Sequence, residues 1–165
     1  MRLIQSDIDK MQQEIEYRKL TLRPQLLEDV KETRAHGDLS ENFEYHAAKR
    51  EKNKNESRIR YLEKVIKTAQ IVEDKSGDDE VGMNNQVTVL FEEDNEEEVY
   101  KIVTTVREDS LNNMISIDSP LGKALVGHKE GDRVEVVVNS DVSYYVKILK
   151  IENNKDDSND RIRSY

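Results

Sequence analysis

Between residues 45 and 69, apolar and small side chains recur at alternating spacings of three and four. This spacing is the heptad pattern of a helix that packs along one seam against another helix. The seam positions are Tyr45, Ala48, Lys52, Asn55, Ile59, Leu62, Ile66 and Ala69. The two polar members, Lys52 and Asn55, either fix the register of the pairing or lie in a solvated part of it. The pattern therefore predicts a long helix with a helical partner.

The segment before it supplies that partner. A second apolar stripe, at spacings of three, four and seven, consists of Ile8, Met11, Ile15, Leu22, Leu26 and Val30. Ser6 is the expected N-cap, and Pro24 is expected to kink the helix because proline removes a helical hydrogen bond. Only residues 35–40 separate the two helices, and Gly37 suits a left-handed C-terminal cap. So short a connection predicts an antiparallel hairpin with its tip near residues 36–44.

After residue 76 the pattern changes to short β-type runs. Strands are predicted at 86–91, 99–106, 114–117, 134–138 and 144–151, with an acidic hairpin turn at 92–98. Ser119 and Pro120 are the cap and first residue of a short helix that ends before Gly127. The predicted fold class is α+β. The predicted parts are an antiparallel two-helix coiled coil (1–76), a linker (77–84), a small β-sheet domain with one short helix (85–152) and a disordered tail (153–165).

Charge and composition argue against several classes of ligand and site. The net charge is −9, but residues 1–76 hold 16 basic and 15 acidic side chains, whereas residues 77–165 hold 10 and 20. Because counterion release needs a basic face, this balance argues against duplex DNA as the main ligand. The absence of Cys excludes disulfides and thiolate metal sites. No apolar run approaches the ~20 residues that span a membrane, and no signal peptide stands at the start, so a cytoplasmic protein is expected.

Two acids mark the predicted tip. Asp38 and Glu41 are three residues apart, and Glu44 follows at the same interval. Carboxylate oxygens are the ligands that Mg²⁺ prefers, but one or two of them make an incomplete site that other groups must complete. The same spacing fits a capping box, with Asp38 as N-cap and Glu41 reaching back to it. Spacing alone leaves both interpretations open.

A basic stretch follows the tip. Residues 49–60 hold six basic and two acidic side chains. Such a run is either a solvated helix face or a short groove for single-stranded nucleic acid. The sequence contains no phosphate-binding glycine loop and no nucleophile elbow, so we expect no complete active site of its own.

Three segments together resemble the bacterial Gre transcript-cleavage factors, closest to the GreA type. They are HGDLSENFEYHAAKRE, SRIRYLEKVIKTAQIV and ISIDSPLGKALVGHKEGDRVEVV. The resemblance runs from about residue 4 to residue 152, in the same order. It implies that the β-sheet domain is FKBP-like and docks on bacterial RNA polymerase, while the coiled coil enters the secondary channel of the polymerase.

The resemblance also assigns residues. It implies that Asp38 and Glu41 act in the polymerase active site, where they share a Mg²⁺ with the polymerase and promote cleavage of backtracked RNA. The residues expected to contact the nascent RNA 3′ end are Arg34, Lys49, Arg50 and Lys52. The residues expected to dock on the polymerase are Ser119, Pro120, Leu121, Gly122 and Lys123. Phe43 departs from the family pattern, in which a small residue is common.

We therefore expect a monomeric accessory factor that is not itself an enzyme, holds no cofactor alone and has no membrane partner. Two alternatives differ in class. One is a Gre-like inhibitor that blocks the polymerase channel without cleavage. The other is a coiled-coil scaffold without a role in transcription.

Overall fold

The computed structural model of this chain describes residues 1–37, 41–153 and 160–163. The chain forms two compact units, one of Gln5–Gln70 with Met1 and one of Arg2–Ile4 with Ile71–Tyr165. The helices are α1 (Gln5–Tyr17), α2 (Arg23–Arg34), α3 (Phe43–Thr68) and α4 (Pro120–Leu125). The strands are β1 (Arg2–Leu3), β2 (Gln70–Ile71), β3 (Gln86–Phe91), β4 (Glu96–Val103), β5 (Met114–Ser116), β6 (Arg133–Val137) and β7 (Ser143–Glu152). None of the helices in the described part of the chain is long and apolar enough to cross a membrane.

The helical unit is a hairpin of α1 and α2 against α3. Side-chain contacts join Glu14 to Arg58, Arg23 to Glu56 and Thr33 to Asn42. Partner numbers fall along α3 as they rise along α1 and α2, so the two arms are antiparallel. Helix α1 begins at Gln5, one residue before Ser6, which was predicted to be its N-cap.

Pro24 is accommodated by a π-helical turn. Residues Arg18–Leu22 form this turn between α1 and α2, and the Arg23 N–H donates to Arg18 O, five residues back. Proline lacks an N–H and crowds the preceding turn, and the wider π spacing immediately before it absorbs this disruption. The predicted interruption therefore takes the form of a local change in helix winding.

The predicted seam of α3 lies along the partner arm, since all eight of its members are buried or half-buried. Asn55 is only 3% exposed. Its Nδ2 donates to Arg18 O at 3.3 Å, and its Oδ1 accepts from Arg18 Nη1 at 3.0 Å. The solvated interpretation is therefore wrong for Asn55. An amide that pairs with one specific carbonyl in the π turn is suited to fixing the register of the hairpin, which stays a prediction.

An ion pair that the apolar pattern did not indicate lies one helical turn away from Asn55. Arg58 is 7% exposed, and its guanidinium donates to both oxygens of Glu14, at 2.9 and 3.2 Å. Arg18 Nε also donates to Glu14, at 2.9 Å. Burial raises the pKa of Glu14, but the hydrogen bonds from Arg58 and Arg18 outweigh it and hold this pKa below its ordinary value near 4.5.

Replacing Glu14 by Gln is expected to lower the free energy of unfolding of the hairpin by about 2 kcal/mol at neutral pH, because Arg58 loses its carboxylate in a nearly buried position. A depressed carboxyl pKa contributes stability that is complete above the unfolded pKa and is lost as the pH falls through the folded pKa. The difference between wild type and variant should therefore shrink below about pH 4.5. Urea unfolding followed by circular dichroism measures it. Exposed Glu16→Gln is the control, and an equal loss in both variants would contradict this role of Glu14.

The second unit is built on a five-stranded mixed sheet of order β5-β4-β3-β7-β6. Only the β4–β5 pair is parallel. Buried side chains alternate along β3 and β6 and in the middle of β7, and Leu121 and Leu125 of α4 join the same core. The buried core contains Val81, Met83, Val87, Val89, Ile102, Ile117, Leu121, Leu125, Val134, Val136, Val146 and Ile148. Val81 and Met83 lie in the segment predicted as a linker. The α+β prediction of a helical hairpin followed by a small sheet with one short helix is confirmed.

Two local predictions differ from the structure. Strand β4 begins at Glu96, so the turn occupies only residues 92–95 and the acidic Glu96–Glu98 belong to the strand. These side chains are exposed, and acidic residues in water do not require a turn to separate them. At the other end, Val106 lies in a short 3₁₀ turn, Thr105–Arg107, rather than in the strand.

In the segment expected to be a disordered tail, residues 160–163 contact the sheet unit. Asp160 lies 2.8 Å from Lys101 Nζ and 3.8 Å from the guanidinium of buried Arg107. The Arg163 N–H donates to Val106 O at 2.7 Å. The other residues of that segment, apart from Asn153, lie outside the described part of the chain.

Candidate functional site

The start of α3 is set by Asn42. Its Oδ1 accepts from the Tyr45 N–H at 2.9 Å, which is the N-cap bond of the helix. Its Nδ2 donates to Thr33 O, in the last turn of α2, at 2.6 Å. The Asn42 side chain thus provides a hydrogen-bond partner for a backbone group at the end of each arm. The capping-box interpretation of Asp38 and Glu41 is wrong, because the helix begins after both residues and a different side chain caps it.

Glu41 lies in the turn immediately before this cap and is exposed. Its carbonyl oxygen accepts from the Phe43 N–H at 3.1 Å. Within the described ranges, no cation pairs with its carboxylate. The side chain is therefore an available oxygen donor of the kind that a hard cation takes, but it is one ligand and not a complete site. Asp38, the other predicted acid, lies outside the described residues.

Glu44, which follows Glu41 at the same interval of three, contacts a histidine of the other arm. Its Oε2 lies 3.1 Å from His36 Nδ1. Glu44 is in the first turn of α3 and His36 follows α2, so this is a second contact across the tip beside that of Asn42. Among the described residues, no group of three or more His, Asp or Glu side chains is placed to hold a metal ion. The described carboxylate of Glu41 thus fits a cation only as a partial ligand set.

The predicted RNA-contacting residues do not share one surface. Arg34, at the end of α2, is exposed, as are Lys49 and Arg50 on α3. Lys52 is half-buried and belongs to the seam, two residues or about 200° around the helix from Arg50. The hydrogen bond from Arg23 lowers the pKa of Glu56, and the positive charge of Lys52 adds to this effect. Lys52 therefore lies on the seam side of α3, near Glu56 of the same helix, while Arg50 faces solvent.

The predicted docking segment forms α4 and its cap. Ser119 Oγ accepts from the Gly122 N–H at 3.0 Å and donates to Ser116 O at 2.6 Å. Pro120 and Lys123 are exposed, whereas Leu121 and Gly122 are buried in the sheet unit. Of the five predicted docking residues, Leu121 and Gly122 pack α4 against the sheet unit. The side chains of Pro120 and Lys123 are exposed to solvent, and that of Ser119 is half-buried.

Gly122 is required by close approach of the backbone. A Cβ at this position would lie 2.0 Å from Ser116 O. We expect Gly122→Ala to lower the free energy of unfolding of the sheet unit by about 3 kcal/mol, because a backbone carbonyl cannot move aside as a flexible side chain can. Urea unfolding of the full chain measures this. Exposed Lys123→Ala in the same helix is the control, and an unchanged midpoint for Gly122→Ala would contradict the argument.

Asp118, directly before this cap, was not indicated by the sequence. Arg2 Nε donates to its Oδ1 at 3.1 Å, and Thr105 Oγ1 donates to its Oδ2 at 3.2 Å. The hydrogen bond from Arg2 holds the pKa of Asp118 below its ordinary range, against the opposing effect of partial burial. Because Arg2 and Asp118 are 116 residues apart, no local pattern could have paired them.

Both parts of the chain match models of known protein families. The family model described as "Transcription elongation factor, N-terminal" matches residues 2–71, and the one described as "Transcription elongation factor, GreA/GreB, C-term" matches residues 75–153. Transcription elongation factor GreA of Brucella anthropi is 43% identical over 129 residues, which are 78% of this chain and 82% of that relative. The chain belongs to the GreA/GreB family of transcription elongation factors. The family assignment of the sequence analysis is confirmed.

A second curated relative agrees with the GreA/GreB assignment. GreA of Brucella canis is 41% identical over 129 residues, again 78% of this chain and 82% of that protein. Among solved structures, GreA factor homolog 1 (Gfh1) of Thermus thermophilus matches 93% of this chain and 99% of its own at 24% identity, with a TM-score of 0.42. The hairpin tip and α4 both lie inside the matched GreA/GreB regions, and residues 154–165 lie beyond them.

Proposed function

We propose that this chain binds bacterial RNA polymerase, inserts the hairpin tip into the secondary channel and stimulates cleavage of backtracked RNA by the polymerase. The observation that carries the proposal is the exposed Glu41, located at the turn of a hairpin whose two arms are tied together by Asn42. In a chain of the GreA/GreB family, such a carboxylate is suited to delivery into another protein's active site. The chain acts as an accessory factor, and the polymerase performs the hydrolysis.

At that active site, Asp38 and Glu41 would provide oxygen ligands to a Mg²⁺ shared with the polymerase, and the ion would supply activation of a water for in-line phosphodiester cleavage. The contribution of this chain is position and charge. The turn that precedes α3 fixes the backbone of Glu41. Among the described residues, no cation competes for the Glu41 carboxylate. Arg34, Lys49 and Arg50 bring positive charge near the RNA, since all three are exposed.

Docking is assigned to the sheet unit. Residues 77–165 carry 10 basic and 20 acidic side chains, a balance that repels nucleic acid and suits a protein surface. The exposed Pro120 and Lys123 of α4, with Ser119 as its cap, form the proposed contact. Leu121 and Gly122 support it from the interior.

The experiment uses purified polymerase in stalled, backtracked complexes with 5′-labelled RNA. Addition of the chain is expected to shorten the RNA at its 3′ end and to restore elongation when nucleotides are supplied. Inhibition without shortening would instead identify a channel-blocking member of the family. Absence of any association with core polymerase would leave a scaffold protein, and both of these outcomes overturn the proposal.

A further inference from the structure

Phe43 is an aromatic side chain left in water at the hairpin tip. It is the first residue of α3, two positions after Glu41, and it is 85% exposed. The other phenylalanine, Phe91, packs against Tyr100 and Tyr144 with ring centroids 6.3 and 5.9 Å away. Phe43 is therefore largely in solvent and contributes little to the packing of the described residues.

Two cations follow Phe43 along the same face of α3. Positions 43, 47, 50 and 54 are separated by four, three and four residues, which places them on one stripe of a helix. All four side chains are exposed, and Ala47 is small enough to leave the stripe open. Arg50 lies about 10 Å along the helix axis from Phe43, and Lys54 lies one turn further.

We infer that Phe43 is a stacking platform for the unpaired base at the 3′ end of backtracked RNA, with Arg50 and Lys54 facing the phosphates of the same strand. This inference rests on the proposed function, which brings the tip to that RNA end. An exposed ring followed by cations along one track is how proteins hold single strands, because every base has a face to stack and every nucleotide has a phosphate. An apolar polymerase surface would fit the ring but not the two cations behind it.

The test compares three substitutions in the cleavage assay. Phe43→Ala is expected to lower the cleavage rate about 10-fold, the lower part of the range for loss of one base stack. Phe43→Tyr should retain the rate, because it keeps a flat aromatic face. Phe43→Leu should behave like Phe43→Ala, since it keeps apolar bulk without that face. Helix content should be the same in all three, because the side chain is exposed and the Asn42 cap is intact.

A second arm changes the RNA. An abasic nucleotide at the RNA 3′ end should lower the wild-type rate to that of Phe43→Ala and should leave the Phe43→Ala rate unchanged, since the two changes remove the same contact. Additive losses would overturn the inference. So would full activity of Phe43→Leu, or weaker polymerase binding by both Phe43→Ala and Phe43→Leu, either of which identifies a protein contact.

The outcomes separate this inference from the proposed function. If wild type produces no cleavage, the proposed function fails. If wild type cleaves and Phe43→Ala cleaves equally fast, only the role of Phe43 fails. Arg50→Gln should weaken activity most at low salt, and its deficit relative to wild type should shrink as salt is raised, because the variant has lost one phosphate contact and its salt dependence is shallower. It serves as the partner variant on the same helix face.

Discussion

Asp38→Asn and Glu41→Gln should each reduce stimulated RNA cleavage by roughly 100-fold or more, while binding to polymerase persists. A neutral amide is a far weaker ligand for a hard cation than a carboxylate, and a shared ion loses one of its few protein ligands. For Glu41 the structure gives a reason to expect an intact fold. The side chain is exposed, precedes α3 and makes no contribution to the N-cap, so Gln should be accommodated without rearrangement.

The measurement is the rate at which labelled RNA is shortened in stalled complexes at saturating factor. Polymerase binding is measured separately, by competition with labelled wild type. Glu51→Gln is a matched control, because Glu51 is an exposed glutamate on α3 ten residues beyond Glu41 and its replacement makes the same change in charge. Residual cleavage by Glu41→Gln should require more Mg²⁺ for half-maximal rate. Cleavage at the full rate with both tip acids neutralised would contradict the assignment.

The parts of the fold that the sequence predicts well are those in which burial repeats. The seam residues Ile59 and Leu62 and the alternating Val134 and Val136 are buried as their spacing indicates, since helix and strand periods report which face meets the core. Ser119 and Pro120 predict α4 correctly because a cap and a first-turn proline act within a few residues. These signals are local, and the structure preserves them.

The signals that the sequence could not supply depend on partners far along the chain. In the sequence, Arg58 is one of six cations in a basic stretch. Its partner Glu14 is 44 residues away in the chain, so only the fold shows that the two form an ion pair. Lys52 belongs to the same stretch, yet it lies on the seam and not beside Arg50. At the tip, the spacing of Asp38 and Glu41 satisfies the capping-box pattern. Only the observed start of α3 at Phe43 shows that Asn42 is the N-cap.

Asn42→Ala is expected to lower the cleavage rate at saturating factor by one to two orders of magnitude, through displacement of Glu41. The variant loses the bond to the Tyr45 N–H and the bond to Thr33 O together. The start of α3 then loses its cap and one of its two described contacts across the tip, and displacement of a reacting group by about 1 Å can cost about 100-fold in rate. Asn42 is thus a positioning residue, because it acts through Glu41 and the turn.

Asn42→Asp separates the two contacts of that amide. Aspartate keeps an acceptor for the Tyr45 N–H and suits a helix N-terminus, but it places a carboxylate against Thr33 O where the amide had donated. Its cleavage rate should be intermediate if the link between the arms positions Glu41. A rate equal to wild type would assign the whole effect of Asn42→Ala to the loss of the cap.

A structural role alone predicts a different pattern. Loss of a cap and one further hydrogen bond lowers the free energy of unfolding by about 2 kcal/mol, which leaves the chain folded and can be measured in urea. Polymerase affinity should stay the same, because docking is assigned to the sheet unit, so only the saturating rate should fall. Exposed Asn53→Ala on α3 is the matched control. If Asn42→Ala cleaves at the wild-type rate once it is saturating, Asn42 does not position Glu41, and the turn holds that carboxylate without it.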